Sequence, residues 1–117
     1  MHIMLGDIMF SIVYITAGDM EEARKIGRKL VEERLAACVN IFPITSIYRW
    51  KDKIEEAHEF GIIVKTKSEK VKDIEKRVKE MHSYEVPCVI SLKIDEGSAD
   101  YIKWIDESVE EQHENRM

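Results

Sequence analysis

Apolar residues recur along this chain with two different spacings, and the order in which these spacings alternate limits the fold more than any other feature. Four runs rich in β-branched and aromatic residues predict strands, because such side chains pack well on a pleated surface. These runs span 10–16, 37–48, 59–67 and 88–94. Amphipathic segments follow the first, third and fourth runs. The order strand–helix–strand–strand–helix–strand, with a terminal helix, is typical of a ferredoxin-like α+β domain.

Each amphipathic segment begins at a recognisable signal. Asp19 lies three residues before Glu22, the spacing of a capping box with Asp in place of Ser or Thr, which predicts a helix over 20–35. Ser68 is predicted to cap the second helix, and the Gly-Ser pair at 97–98 to open the third. The apolar stripe of the second helix comprises Val71, Ile74, Val78 and Met81. We expect the first two helices to pack on one face of an antiparallel sheet.

The two middle strands predict an oligomer. The segments 37–50 and 53–67 are longer than the usual strand of about five or six residues. The residues 50–54 between them (WKDKI) predict a hairpin turn, since Asp52 tolerates a positive φ. Strands that overhang their own sheet are suited to pairing across subunits. The sheet face without helices also needs a cover, and in so short a chain the simplest cover is another copy of the chain.

The bulk properties exclude several classes of function. The chain has 117 residues, enough for one domain, and its 44% of hydrophobic residues can form a core without disulfides or a structural metal. The net charge of −5 disfavours nucleic acid as a partner, because phosphate binding needs a basic face. With no secretory signal and no apolar run long enough to cross a membrane, we expect a cytoplasmic protein with reduced thiols. We divide it into an extension (1–8), one domain (9–109) and a polar tail (110–117).

Four short sequence motifs are informative as a set. They are 35–40 (LAACVN), 48–54 (YRWKDKI), Glu59 with 64–66 (VKT), and 82–87 (HSYEVP), and Tyr101 and Trp104 follow on the last helix. In this order and spacing the chain resembles the CutA family over about residues 10–106. Each motif alone is weak, whereas the ordered set is highly specific.

The resemblance to CutA implies a ferredoxin-like homotrimer, similar in architecture to the PII signalling proteins. It further implies a role in tolerance of divalent metals, chiefly copper, and we do not predict an enzyme. No cofactor is required, and Cu(II) or another divalent cation is the expected ligand. Three positions depart from the family pattern. Asp52 stands where the family usually has Gly, Cys88 where it usually has Glu, and Ile15 where some relatives carry a metal-binding Cys.

Three residues are candidates for a metal site. His82 follows the second helix, and a neutral imidazole suits Cu(II), Zn(II) and Ni(II). Its alternative role is to bond free carbonyl groups at the helix end. Cys38 and Cys88 offer soft sulfur ligands, and Cys88 with His82 would make a mixed nitrogen–sulfur site that favours copper. The alternative for both cysteines is core packing, since free Cys is among the most buried residue types.

Five further residues are predicted to line a cleft. They are Tyr48, Trp50, Glu59, Lys65 and Tyr84. The aromatic residues lie at or near strand ends, where their alternative role is packing at a subunit interface. Glu59 and Lys65 are six residues apart on one strand and therefore on one face. They either line a polar cleft between subunits or form a surface ion pair.

The sequence leaves three functions open. The first is a metal-responsive trimer that holds copper or a similar ion in clefts between subunits. The second is a PII-like trimeric regulator that binds a small anion or metabolite in the same clefts, through Lys65 and Tyr84. The third is a trimeric scaffold for partner proteins. Neither a Gly-rich phosphate loop nor a nucleophile elbow occurs, so we predict no catalytic residue.

Overall fold

The computed structural model describes residues 8–110. The elements are β1 (Phe10–Ala17), α1 (Met20–Glu32), β2 (Cys38–Trp50), β3 (Lys53–Lys67), α2 (Val71–Met81), β4 (Val89–Lys93) and α3 (Ala99–Val109). All strand pairs are antiparallel and the order across the sheet is β2-β3-β1-β4. This confirms the predicted ferredoxin-like α+β fold. Apart from Ile8 and Glu110, the predicted extension and tail lie outside the described residues.

The main core lies between the sheet and the first two helices. The register between the central strands pairs Val13 with Val64 and Ile15 with Ile62, and all four side chains are fully buried. The helices contribute Ala23, Ile26, Leu30, Ile74 and Val78 to the same cluster. Because side chains alternate along a strand, this register leaves the intervening residues of β1 and β3 on the other face. We call the two sides the helix-bearing face and the open face.

Helix α1 begins at its predicted cap and ends earlier than predicted. The Asp19 carboxylate accepts a hydrogen bond from the N–H of Glu22 at 2.8 Å. The predicted span 20–35 is too long, because Arg34 has a φ of 59°, in the left-handed region. The N–H groups of Arg34 and Leu35 bond back to carbonyl groups of the last helical turn. This is the Schellman arrangement, which ends a helix.

The prediction that Ser68 caps α2 is wrong. Residues Ser68–Lys70 form a short 3₁₀ turn, and no side chain caps the N-terminus of the helix that follows. The Ser68 hydroxyl instead lies 2.6 Å from the hydroxyl of the buried Ser11, and the Ser68 N–H donates to the Met9 carbonyl at 2.9 Å. Contacts with the first strand therefore replace the local cap.

The third helix lies on the open face and covers only one end of it. The Ser98 hydroxyl accepts a hydrogen bond from the N–H of Tyr101, so this predicted cap is confirmed. The buried side chains Phe10, Ala37, Ile105 and Val109 form a second core cluster under the helix. An ion pair of 2.9 Å between Lys67 and Asp106 also ties α3 to β3.

The remainder of the open face and the end of the β2–β3 hairpin are uncovered. Ile90 and Leu92 on β4 are 57% and 61% exposed. Strand β1 pairs with β3 only from Phe60 onward, so residues 44–59 form a two-stranded arm that extends beyond the sheet. None of the helices within residues 8–110 is long and apolar enough to cross a membrane.

The hairpin turn provides a test of backbone strain. Lys51 and Asp52 have φ values of 50° and 64°, which L-residues adopt at a cost of about 1–2 kcal/mol. We expect Asp52→Gly to raise the free energy of unfolding by up to about 1 kcal/mol, because Gly adopts this conformation without steric cost. Urea denaturation at fixed chain concentration measures the change, with Asp52→Ala as the control. A Gly variant no more stable than the Ala variant would contradict the prediction.

Candidate functional site

Polar side chains from four elements meet where β1 ends and the loop 82–88 runs from α2 to β4. They are Thr16, Glu22, Glu59, His82, Tyr84 and Cys88, and we refer to them as the polar cluster. Four of the eight site residues predicted from the sequence therefore come together. The register of β1 with β3 brings Thr16 and Glu59 near each other, and the loop supplies His82, Tyr84 and Cys88.

The carboxylate of Glu59 is buried and depends on Tyr84 for a hydrogen bond. Glu59 is only 8% exposed, and the Tyr84 hydroxyl donates to its Oε2 at 2.6 Å. Burial, and then the bond to this carboxylate, raise the pKa of Tyr84 far above its usual range, so the phenol remains a neutral donor. A buried carboxylate is costly unless it is hydrogen-bonded. Tyr84 is therefore needed to hold Glu59 in place.

His82 is fully buried, with both ring nitrogens bonded inside the chain. Its Nε2 lies 2.7 Å from the carbonyl oxygen of Thr16, and the N–H of Tyr84 donates to Nδ1 at 3.0 Å. Because a carbonyl only accepts and a backbone N–H only donates, Nε2 carries the proton and Nδ1 is the acceptor. The alternative role, a helix-end histidine bonded to a carbonyl, matches this geometry, although the carbonyl belongs to β1.

Glu22 joins α1 to the loop. Its carboxylate accepts hydrogen bonds from the N–H and the hydroxyl of Ser83, at 2.7 and 3.0 Å, and from the N–H of Gly18 at 3.3 Å. Burial by itself would raise the pKa of Glu22, but the hydrogen bonds from Ser83 and Gly18 hold that pKa below its usual range. The ionised carboxylate therefore keeps the start of the loop against the helix.

Cys88 lies at the end of the loop and is half-buried. Burial, and then the negative charge of Glu59, raise the pKa of the Cys88 thiol, while a hydrogen bond with the Thr16 side chain opposes the rise. The thiol is therefore held protonated at neutral pH. A metal ion bound through this sulfur would have to release that proton.

The other predicted residues lie elsewhere. Cys38 is opposite Lys65, whereas Thr16 is opposite Gly61, so Cys38 and Cys88 are about 13 Å apart along the strand direction and are also separated across the sheet by β3 and β1. Lys65 shares the face of Glu59 as predicted, but its ammonium group donates to the hydroxyl of Tyr101 at 3.3 Å and forms no ion pair with Glu59.

The two aromatic residues of β2 lie on the hairpin arm. Trp50 is exposed and has the ammonium group of Lys51 over its ring, 5.7 Å from the centroid. Tyr48 is also exposed, and it lies close enough to Tyr84 to raise the pKa of that phenol slightly. Within one subunit, Tyr48 therefore borders the polar cluster and Trp50 does not contribute to it.

The described part of one chain holds no complete metal site. Across residues 8–110, no three His, Cys, Asp or Glu side chains are grouped so that they could hold one ion. The imidazole, thiol and carboxylate of the polar cluster are suitable ligand types for copper or zinc. The His82 nitrogens are already bonded, however, and the Cys88 thiol is protonated. The residues of a single subunit therefore do not fit a ready-made cation site.

Comparison with known proteins agrees with the motifs noted in the sequence. The model of the family described as CutA1 divalent ion tolerance protein matches residues 11–108. The chain belongs to the CutA1 divalent ion tolerance family. The CutA1 motif at 82–87 and the residue Glu59 are thus the parts of the family pattern that the fold assembles into the polar cluster.

Three CutA relatives illustrate the match over nearly their whole length. The divalent-cation tolerance protein CutA of Archaeoglobus fulgidus is 51% identical over 102 residues, which cover 87% of this chain and all of the relative. Its solved structure, described as that of a periplasmic protein, has a TM-score of 0.86. The Thermus thermophilus CutA is 46% identical, with 86% and 98% of the two chains covered and a TM-score of 0.83. CutA1 from Oryza sativa is 35% identical, with 90% and 97% covered and a TM-score of 0.86.

Two members of the polar cluster were not predicted from the sequence. Glu22 is recognisable as part of a capping box, but its bonds to Ser83 join residues 61 positions apart, which no local pattern indicates. Thr16 acts in part through its carbonyl group, and a backbone carbonyl has no signature in the sequence. The capping-box spacing predicts that the Glu22 carboxylate lies in the first turn of α1, but it does not indicate that the loop after α2 lies beside it.

The lowered pKa of Glu22 predicts an acid-dependent stability. A carboxyl group with a folded-state pKa below its usual value of 4.5 stabilises the protein above that pH, and this contribution disappears as the pH falls through the folded-state pKa. We expect Glu22→Gln to lower the free energy of unfolding by about 1–3 kcal/mol at neutral pH. The difference from wild type should shrink as the pH falls below 4.5.

Urea denaturation at a series of pH values measures this difference. Glu21→Gln is the matched control, because Glu21 lies in the same helical turn, is exposed, and makes no side-chain bond to another residue within 8–110. The control should retain the stability of the wild-type protein at neutral pH. A Glu22→Gln deficit that stays constant down to acid pH would contradict the assignment.

Proposed function

We propose that this chain forms a homotrimer that serves divalent-cation tolerance and binds a divalent cation, with copper as the leading candidate, in clefts between its subunits. The supporting observation is the position of the polar cluster at the rim of the open face. Glu59 alternates with the core residues of β3, so its side chain lies on that face. Tyr84 and Val86, which are 38% and 81% exposed, stand beside it. A subunit seated on the open face would lie next to the cluster.

The uncovered apolar surface supports the proposed assembly. Ile90 and Leu92 on the open face, and Ile47, Trp50 and Ile54 on the hairpin arm, are each more than half exposed. Ile90 and Leu92 are neighbours on one face of β4, and exposed apolar patches of this kind mark interaction sites in soluble proteins. The two edge strands of the sheet also present unpaired backbone groups, which another copy can pair with. The resemblance to CutA implies that three copies take part.

The mass of the assembly in solution tests this proposal. Light scattering should give a mass of about three times 13.7 kDa, the mass of one chain. Leu92→Glu should shift the mass toward one chain, because a charge buried in an apolar interface costs several kcal/mol. Lys72→Gln, which changes the charge equally on the exposed side of α2, should leave the mass unchanged. Retention of the trimer by a folded Leu92→Glu protein would show that β4 is not in the interface.

The cation part of the proposal depends on the assembly. Since one subunit supplies no group of three ligands within residues 8–110, the remaining donors would come from a neighbouring subunit at the same cleft. His82, Cys88 and Glu59 are the residues of this chain with suitable ligand atoms, and Cys38 would be the sulfur donor at the other end of the open face. We propose no catalytic step for this site.

Calorimetric titration of Cu(II) into the metal-free trimer tests the cation site. We expect saturable binding at a simple ratio per subunit, weakened at least tenfold, or about 1.4 kcal/mol, in His82→Ala and in Cys88→Ser. His58→Ala is the control, because His58 is an exposed histidine on β3 outside the polar cluster. Binding that depends on His58 but not on His82 or Cys88 would show that copper attaches to the surface.

A regulatory role is the second candidate, and one observation favours it. Both His82 nitrogens and the Cys88 thiol are engaged within the chain, which favours a cleft that receives a small polar molecule without a metal. In that case the effect on cation tolerance is indirect. A metabolite that raises the melting temperature of the metal-free trimer, together with copper binding indifferent to His82, would support this candidate over the first.

The cytoplasmic location predicted from the sequence also belongs to this proposal. Cys38 and Cys88 lie too far apart to form a disulfide within one chain, so the fold of a subunit does not depend on an oxidising compartment.

A further inference from the structure

The carboxylate of Glu59 is the least secured group of the polar cluster. It is buried, and within residues 8–110 it forms no ion pair and one hydrogen bond, which the Tyr84 hydroxyl donates to Oε2 at 2.6 Å. Glu22 and His82, in contrast, each bond two backbone groups. A buried negative charge is costly when no opposite charge accompanies it. A cation that enters the cluster therefore gains most by binding next to Glu59.

The ring of Tyr84 is in contact with protein on two sides and with solvent on another. Its centroid lies 4.8 Å from that of the His82 ring. Its hydroxyl lies next to Gly18, where a Cβ atom would be only 3.2 Å away, so Gly18 leaves the space that the hydroxyl needs to reach Glu59. Tyr84 is nevertheless 38% exposed. Rotation about its own side-chain bonds would move the hydroxyl from the carboxylate into solvent.

The backbone beneath this ring is anchored independently of the hydroxyl. The N–H of Tyr84 donates to Nδ1 of His82 at 3.0 Å, and the N–H of Ser83 donates to the Glu22 carboxylate at 2.7 Å. Both bonds remain when the Tyr84 hydroxyl leaves Glu59. The side chain can therefore turn away while the start of the loop stays in place.

The hydroxyl and a cation exclude each other at the oxygen that they would share. Carboxylate oxygens bind Zn²⁺ at about 2.0–2.2 Å, and the Tyr84 hydroxyl already lies 2.6 Å from Oε2 of Glu59. A protonated phenol cannot replace the carboxylate as a ligand, because metal ligands bind in their deprotonated form. Binding at this oxygen therefore requires that the hydroxyl leave.

We propose that Tyr84 competes with the cation for Glu59: its hydroxyl occupies the carboxylate in the metal-free protein and turns away when a cation binds there. This inference rests on the proposed function, because it concerns the same site. The apparent affinity is reduced by the fraction of molecules in which the hydroxyl is bound. Tyr84 thereby sets the cation concentration to which the trimer responds without being a ligand itself.

Calorimetric titration of Cu(II) into metal-free Tyr84→Phe tests the competition, because Phe keeps the ring and removes the hydroxyl. We expect binding at least about tenfold tighter than in wild type, since a hydrogen bond to a charged group no longer has to be broken. Tyr101→Phe is the matched control. Tyr101 is 40% exposed, and its hydroxyl accepts a bond from Lys65 at 3.3 Å, outside the polar cluster. This control should bind Cu(II) like wild type.

Glu59→Gln distinguishes competition for the carboxylate from a general loosening of the loop. Gln keeps the shape of the side chain and removes its charge, so Tyr84→Phe should give no gain in affinity in the Glu59→Gln background. A gain that persists in that background, or a Tyr84→Phe protein that binds no more tightly than a wild type that does bind, would overturn the competition and leave the cation site standing. Absence of saturable binding in both wild type and Tyr84→Phe would reject the cation site together with the competition.

A crystal structure of the wild-type trimer with Cu(II) tests the same step without a substitution, and so does not depend on the folding of Tyr84→Phe. We expect the ion on an oxygen of Glu59, with the Tyr84 hydroxyl beyond hydrogen-bond distance of that carboxylate. A Tyr84–Glu59 bond that persists beside a bound ion would contradict the proposal.

Discussion

The antiparallel register between β1 and β3 is the constraint on which the rest of this structure depends. Pairing Val13 with Val64 and Ile15 with Ile62 directs four fully buried side chains toward α1 and α2. A slip of one residue would direct all of them to the opposite face, so the hydrophobic effect specifies this register strongly. The same register decides which residues remain on the open face, and Glu59 is one of them.

The polar cluster is built on that register and is held together by complete hydrogen bonding. Glu59 is buried but receives the Tyr84 hydroxyl, the ring of His82 is bonded at both nitrogens, and Glu22 accepts three bonds from two backbone N–H groups and one hydroxyl. Among the described residues, no buried polar side-chain atom lacks a partner. Such a network is rigid, because removal of one partner leaves another group buried and unpaired. This network holds the side chains of the polar cluster in fixed positions. A cation that binds there must displace some of these hydrogen bonds.

The surface of the subunit divides into regions of different character. The open face exposes the apolar side chains Ile90 and Leu92, and the hairpin arm exposes Trp50, which other copies would cover in the proposed assembly. On the helix-bearing face, α1 and β2 border a shallow groove that combines apolar side chains with charges of both signs, Arg24, Arg28 and Glu32. The open face is therefore the surface that the proposed assembly would cover.

The sequence by itself determined the order of elements, the hairpin turn, the caps at Asp19 and Ser98, and the family. Each of these rests on residues close together in the chain, where hydrophobic period and hydrogen bonding act locally. Only the tertiary structure decided that Ser68 bonds Ser11 instead of capping α2, and that Glu22 binds Ser83 across 61 positions. It alone placed Cys38 and Lys65 away from the polar cluster although their residue types suited a site. The physical reason is that a side chain can form a hydrogen bond or a contact with any group that the fold brings near it. The partner that binds it most strongly is frequently distant in the sequence.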